Sequence, residues 1–484
     1  MPIALSEHAA DLLTASMTWM DARWDEEVGL LIYAPDPGHA GRHAPIPGVR
    51  HGVRDTVWYA LGLLQRDAPG DRDRACRAVS AILDWQFDEP GRPYHGTFYR
   101  APEEAHPPAD AVRWEHYDPN WRQFIGTALA ILLEEYPAAL PPDLVRRIDR
   151  AVRLAIEGEE GEGRLTERYT NIALMRAPFE MWAGTRYSQP EWRARGEAWA
   201  ETIHRRFGEH GAYDEYNSPT YYGTDLFALG FWRCYAPTPR LQSLAEEMEA
   251  ALWRDIAGYY HAGLRNICGP YARSYGMDMT RYVALLGQAI WIAAGRALAP
   301  HPDPTGPMEH TNDFMYPPAL TAVGVRVPED ALPALRAFPG PHRVERHVGS
   351  TPIRVATAWL DEDVMIGAAG TDGQRPAGRQ FHPLTVHWRL PEGGVGWMRM
   401  VAGDAVDARA DEGQAHVTCA GDAVLEVYAP GATAADVGGG AWSLPGLEVR
   451  VEARAEGLAI DAEDDSLFIR YPGASSLTLS VTTR

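Results

Sequence analysis

The densest group of reactive side chains is Tyr213-Asp214-Glu215-Tyr216-Asn217-Ser218-Pro219-Thr220-Tyr221-Tyr222-Gly223. Ser218-Pro219 marks a helix start. That predicts Tyr221 and Tyr222 in a first turn, where the positive end of the helix dipole favours a phenolate. Such a group suits proton transfer, with Tyr222 or Tyr221 as the acting hydroxyl, and Asn217, Tyr216 and Asp214 beside it. Four further constellations have the same make-up. His51 stands with Arg54 and Asp55. The run Trp114-Glu115-His116-Tyr117-Asp118-Pro119 leads into Asn120-Trp121-Arg122, where an indole face suits a sugar ring and the Asn and Arg suit hydroxyls and carboxylates. Arg168-Tyr169-Thr170-Asn171 and Tyr271-Ala272-Arg273-Ser274-Tyr275 complete the set, with Arg273 the best carboxylate clamp. In the C-terminal half, His382 and His387 flank a strand that is able to reach them. Each group also has a structural reading. Asp118-Pro119 is a helix cap and first-turn pair. Tyrosines fill helix seams, and a lone histidine is more often structural than catalytic.

Composition narrows the chemistry. Of 484 residues, 45 are basic and 66 acidic, a formal charge of −21, and every basic residue is arginine. Without lysine there is no Schiff-base amine and no phosphate-binding P-loop lysine. Arginine remains as a permanent, bidentate partner for carboxylates. The acidic balance argues against general nucleic-acid binding. Cys76, Cys234, Cys268 and Cys419 have no metal spacing, so neither metal nor cofactor is expected. No basic leader and no membrane-length apolar run precedes the first amphipathic helix, so a cytoplasmic location is expected, with no membrane partner. Motifs for zinc proteases, serine hydrolases and dinucleotide binding are missing.

The elements that must position these groups fall into two halves. Helical periodicity dominates to about residue 300, and we place helices at 5–24, 51–67, 70–86, 119–136, 141–158, 167–186, 189–207, 218–236, 239–255 and 278–298. They alternate between two kinds. One kind starts with Pro, Ser, Thr or Asp and has a charged face, as an outer helix does. The other is less charged and more apolar along its body and begins with the polar and aromatic groups above. Inner helices of that kind, all aiming their first turns at one mouth, make an (α/α) toroid. From Val344 the pattern alternates with period two, as in IRVATAWL, LTVHWRL and LTLSVTT, which predicts an antiparallel β-sandwich. The expected organisation is α+β: a toroid over 1–300, a linker over 301–342 and a sandwich over 343–484.

Helical toroid plus C-terminal β domain resembles the polysaccharide lyases of the chondroitin/hyaluronate, heparinase III and oligoalginate types. NWRQFIGTAL, from Asn120, is similar to the Asn-Trp-Trp…Glu-Ile-Gly segment of the first group, whose Asn holds the substrate carboxylate. GAYDEYNSPTYYG, from Gly211, is similar to the segment that supplies a catalytic His and Tyr, and ARSYGMDMTRY sits where the group has an Arg-bearing segment. Asn217 stands where that group has His, and Asn171-Ile172 keeps the Asn of the oligoalginate Asn-His pair without the His. The resemblance therefore implies a histidine from His51, His382 or His387. It implies β-elimination at a uronic acid in an acidic oligosaccharide. Tyr222 or Tyr221 serves as base and acid, and Asn120, Asn171 and Arg273 neutralise the carboxylate. Arg54, Trp121, Arg122, Tyr169, Tyr216, Tyr275, Asp214 and His382 contact the sugars. A glycoside hydrolase on the same toroid is the alternative, drawing on Glu115, Asp118, Asp214, Glu215, Asp225 or Asp278 as a carboxylate pair. A non-catalytic glycan-binding protein is the third.

Overall fold

The computed structural model describes residues 4–34 and 48–484. Its helices are α1 (Glu7–Asp21), α2 (Val53–Arg66), α3 (Asp71–Leu83), α4 (Trp121–Glu135), α5 (Pro142–Glu162), α6 (Thr170–Arg186), α7 (Pro190–His210), α8 (Tyr222–Tyr235), α9 (Pro239–Tyr259), α10 (Leu285–Ala294), α11 (Pro317–Val323) and α12 (Leu332–Arg336). Helices α2, α4, α6 and α8 pack side by side in that order, α10 and α11 continue against α8, and α11 closes the ring on α2. Behind them α3, α5, α7 and α9 each run back along the preceding inner helix, and α1 covers α10 and α11. This is an (α/α) toroid, and burial follows composition. Helix α6 is buried without a break from Thr170 to Gly184, whereas α7 buries only Trp192, Gly196, Ala200, Ile203 and Phe207. Outer helices begin as their sequences predict. Proline lies in the first turn of α5, α7 and α9, and the Thr238 hydroxyl accepts the Leu241 N–H at 3.3 Å to cap α9.

Two expectations differ from the structure. The helix placed at 278–298 begins only at Leu285, and the segment carrying Arg273 and Tyr275 is an irregular loop. The stretch expected as a 301–342 linker is largely part of the toroid. Pro318 packs on Gly62 of α2, its carbonyl accepts from Gln65 Nε2 at 2.7 Å, and the Arg326 N–H donates to Glu249 at 2.8 Å. Its prolines read as loop residues, yet Pro317 and Pro318 occupy the first turn of α11, where proline is tolerated.

Three short strands, β1 (Trp24–Asp25), β2 (Leu30–Ile32) and β3 (His51–Gly52), lead into α2, and β4 (Tyr260–His261) pairs with β5 (Asn266–Ile267). The C-terminal half holds β6 (His342–Ser350), β7 (Ile353–Asp361), β8 (Val364–Gly370), β9 (Leu384–Arg389), β10 (Val395–Asp411), β11 (Gln414–Tyr428), β12 (Ala441–Leu444), β13 (Leu447–Arg454), β14 (Ala459–Glu463), β15 (Ser466–Tyr471) and β16 (Ser476–Thr483). They form one antiparallel sheet in the order β12-β13-β16-β11-β10-β9-β8-β7-β6, with β15 and then β14 branching from β11. Register shifts between Met400 and Asp407 bend the long β10–β11 ladder. The sheet thereby folds over itself. Trp388 of β9 donates to Pro445 O beside β13 at 2.8 Å, and a core including Ile366, Trp388, Leu447 and Leu479 lies between the layers.

The two halves dock through backbone. Gly367 of β8 lies so close to Gly269 that a Cβ on it would be 2.0 Å from the Gly269 carbonyl, so only glycine fits. Beside that contact, Tyr271 and His382 exchange backbone hydrogen bonds at 3.0 and 3.2 Å. The β8–β9 connection is thus pinned to the Arg273 loop.

Candidate active site

The first turns of the inner helices converge as their sequences suggest. At the start of α4, the Asn120 side chain donates to the Tyr169 hydroxyl at 2.9 Å. At the start of α6, the Asn171 backbone N–H and Nδ2 donate to one oxygen of Glu215, at 3.1 and 2.7 Å. The other Glu215 oxygen accepts from Arg273 Nη1 at 3.1 Å. Arg273 lies over the Tyr221 ring at 4.2 Å and the Tyr169 ring at 6.0 Å, and the Tyr221 and Tyr275 hydroxyls share a 2.5 Å hydrogen bond. Ser218 ties the cluster together. Its Oγ accepts the Tyr221 N–H at 3.1 Å and donates to the Arg273 carbonyl at 2.5 Å. At the start of α2, Arg54 is paired with buried Asp55 at 2.8 Å and lies over the rings of Trp58, Trp121 and Phe124.

Electrostatics follow from burial and from Arg273. Burial pushes the Tyr221, Tyr275 and Tyr169 hydroxyls above their ordinary range, and Arg273 opposes the shift in all three. Burial alone would lower Arg273. Tyr221, Tyr275 and Glu215 outweigh it and hold the guanidinium firmly charged. Burial also raises the Asp118 carboxyl, although the Asn120 N–H donates to it at 2.8 Å. Deeper in α8, Asp225 is wholly buried, and neither carboxylate oxygen has a hydrogen-bond partner among the described residues. Burial, then the nearby Glu215, raises it well above the carboxylate range, which favours its neutral form. The side-chain oxygens of Asn120 and Asn171 are likewise buried and unpartnered among the described residues.

The structure therefore brings together Asn120, Asn171, Tyr169, Tyr221, Arg273, Tyr275 and Arg54. Other expected site residues lie elsewhere, for definable reasons. Tyr222 faces inward, 1% exposed, and its hydroxyl accepts the Asn217 N–H at 2.6 Å. Asn217 adopts φ 50°, and its side chain donates to the carbonyls of Cys268 and Pro270, so it is a loop pin. Arg122 is fully buried between Glu162, Glu159 and the carbonyls of His95 and Pro93. Trp121 is 4% exposed beneath Arg54. Tyr216 is buried against Asp255. Asp214 bridges Arg206 and Arg354 at 2.8 and 2.7 Å, joining α7 to the β domain.

None of the three proposed histidines presents a free ring at this cluster. His51 is buried between Asp25 and Glu103. His382 is wholly buried beside Arg399, and both push it well below its usual range. Burial pushes His387 down to about 4. Two residues of the cluster lay outside the expected set. Gln380, two positions before His382, accepts from Arg273 Nε at 3.1 Å, and His310 stacks on Tyr275 with centroids 5.1 Å apart. The Gly378 and Pro383 that bracket Gln380 marked a loop. Nothing in the sequence around His310 distinguished it. Of the carboxylates, Glu115 is exposed on the surface, whereas Asp118 and Glu215 adjoin the cluster. Among the described residues no group of three His, Cys, Asp or Glu is placed to hold a metal, and no helix is long and apolar enough to cross a membrane.

Among solved structures, the chain is similar to the chondroitin AC lyase of Streptomyces coelicolor A3 in complex with chondroitin sulphate. The identity is 12% and the TM-score 0.47, over 99% of this chain and 80% of that one. It is also similar to heparinase III, at 12% identity and TM-score 0.42 over 99% and 85%, and to the cellulase Cel9M of C. cellulolyticium, at 12% and 0.28 over 68% and 98%. No curated protein sequence matches it. A family model matches residues 10–325, which span the toroid from α1 past α11, and the chain belongs to that family, described as a domain of unknown function, DUF8769.

Proposed function

We propose that this protein is a carbohydrate lyase that cleaves a uronate-containing oligosaccharide by β-elimination at the mouth of the toroid. The observation that carries the reading is the Tyr221–Tyr275 hydroxyl pair beside Arg273. Elimination needs a base for the proton at C5 of the uronate and an acid for the glycosidic oxygen leaving C4. Two phenols sharing one short hydrogen bond supply both. One, as phenolate, takes the C5 proton, and the other gives its proton to the leaving oxygen. The proton then crosses between them, and the pair is restored. Arg273, 4.2 Å from the Tyr221 ring, stabilises the phenolate. Negative charge growing on the uronate carboxylate is met by Arg54, Asn120 and Tyr169. Glu215, tethered by Asn171, fixes Arg273 in place.

The test is to incubate the protein with hyaluronan, chondroitin and alginate oligosaccharides and to follow ultraviolet absorbance from a C4–C5 double bond. Release of saturated sugars alone would refute elimination. One observation favours the hydrolase as a second reading: burial raises Asp118, as a general acid requires, beside a cluster that also holds Glu215. In that case activity falls as pH rises through the Asp118 pKa, the opposite of what a tyrosine base gives.

A further inference from the structure

Of the sixteen tryptophans, Trp114 alone is exposed among the described residues, at 55%, and Val112 beside it is 52% exposed. Its backbone lies at φ 61°, a region that bulky residues rarely occupy. Neither feature serves the core. The loop around it is nevertheless firmly held. The Trp114 N–H donates to the Tyr117 carbonyl at 2.7 Å, and the His116 N–H donates to the Val112 carbonyl at 2.9 Å. The Arg100 guanidinium donates to the carbonyls of Trp114 and Glu115, at 3.4 and 2.9 Å.

Arg100 also places the loop. Its own carbonyl accepts the N–H of Val53, the first residue of α2 and the neighbour of Arg54, at 3.1 Å. At its other end the loop passes through Asp118 into Asn120. Trp114 therefore stands on the rim between the starts of α2 and α4, beside the cluster but outside it.

We propose that Trp114 is a stacking platform for a sugar ring beyond the reacting one. A firmly held, exposed indole beside a polar and aromatic cluster matches the apolar C–H face of a pyranose. Glu115 next to it has a 69% exposed carboxylate, which disfavours a carboxylated or sulphated ring there and selects a neutral one. The proposal rests on the carbohydrate reading above and adds a second subsite to it.

The experiment measures binding of hyaluronan oligosaccharides of four and eight sugars, and of cellotetraose and cellohexaose, by calorimetry. It uses the Tyr221→Phe background so that cleavage does not intervene. Affinity is expected to rise with chain length in that background. Adding Trp114→Ala removes about five- to tenfold of the gain, and Trp114→Phe keeps most of it. Circular dichroism checks that each variant is folded. An undiminished length gain in Trp114→Ala overturns the platform and leaves the proposed function standing. Failure of every oligosaccharide to bind overturns both.

Discussion

Tyr221 and Tyr222 are adjacent in sequence yet place their hydroxyls on different partners, and the proposed function gives them different roles, which replacing each by phenylalanine separates. Tyr222 is 1% exposed, and its hydroxyl is the acceptor for the Asn217 N–H at 2.6 Å. Tyr222→Phe keeps the ring in the core but strands that buried donor, which costs about 1–3 kcal/mol. The Asn217 side-chain bonds to Cys268 and Pro270 remain, so the loop before α8 holds its course. Tyr221→Phe removes a part-exposed hydroxyl whose partner, Tyr275, still has Arg273 Nη2 at 3.5 Å. Its stability cost is therefore smaller, about 1 kcal/mol or less. Its catalytic cost, if Tyr221 moves the proton, is about 10²–10⁴-fold in kcat. Urea unfolding followed by circular dichroism reads the first effect, and formation of unsaturated product per folded molecule reads the second. The reverse pattern, with Tyr222→Phe stable but inactive and Tyr221→Phe fully active, would refute the assignment of these two side chains.

Three further outcomes are expected. Because burial holds Tyr221 and Tyr275 above their ordinary range, kcat/KM for elimination rises with pH through neutrality, about tenfold per unit while the phenolate is the minor form. A rate that falls from pH 5 to 8 would point instead to Asp118. Burial, then Glu215, holds the folded Asp225 carboxyl well above its ordinary carboxylate range, so its contribution to stability is fully present below that ordinary range and is lost as pH rises through the raised folded pKa. Urea unfolding at pH 4 and pH 8 should therefore show a smaller loss of stability with pH in Asp225→Asn than in the parent. Asp214→Ala, which deletes two partly exposed ion pairs, should lower stability by about 1 kcal/mol without changing kcat, and a hundredfold loss of activity would return Asp214 to the site.

The toroid was legible because its two helix kinds differ in composition. A helix such as α6, with few charges on any side, has to be interior, while α5 and α7 show one solvated face. The mouth was legible for a related reason: the inner helices gather their mixed polar and aromatic groups in and just before the first turn, with few charges further along, such as the Arg176–Glu180 pair of α6. What could not be read was direction. The run from Tyr221 to Tyr222 rotates by about 100° along a helix, and that rotation sends one hydroxyl to Tyr275 beside Arg273 and the other into the core. The same holds for Asn120 and Arg122, one at the mouth and one buried against Glu159 and Glu162. The Arg273 loop was expected to lead directly into a helix. Its conformation depends instead on β8, through a Gly269–Gly367 contact between residues 98 positions apart, and on the β8–β9 connection, through the Tyr271–His382 bridge, and no local pattern reports such contacts.

The arginine-only composition takes on a sharper meaning at the mouth. Arg54 is matched by Asp55 and Arg273 by Glu215, so both cations near the tyrosines already have anionic partners. If the proposed uronate substrate binds here, its carboxylate does not enter a free positive pocket and has to share arginines held by other carboxylates. Such sharing weakens ground-state binding. The transition state of the proposed elimination would be affected less, because its extra charge is shared between phenol and sugar, beside a guanidinium that Glu215 and Gln380 already orient. Glu215→Gln tests the balance. It leaves one hydrogen-bond acceptor facing Arg273 but removes the competing charge, so KM for a uronate substrate should fall. A concurrent fall in kcat would show that orienting Arg273 matters more than freeing it. A rise in KM would show that Glu215 binds substrate itself, and the hydrolase reading would then account better for this cluster.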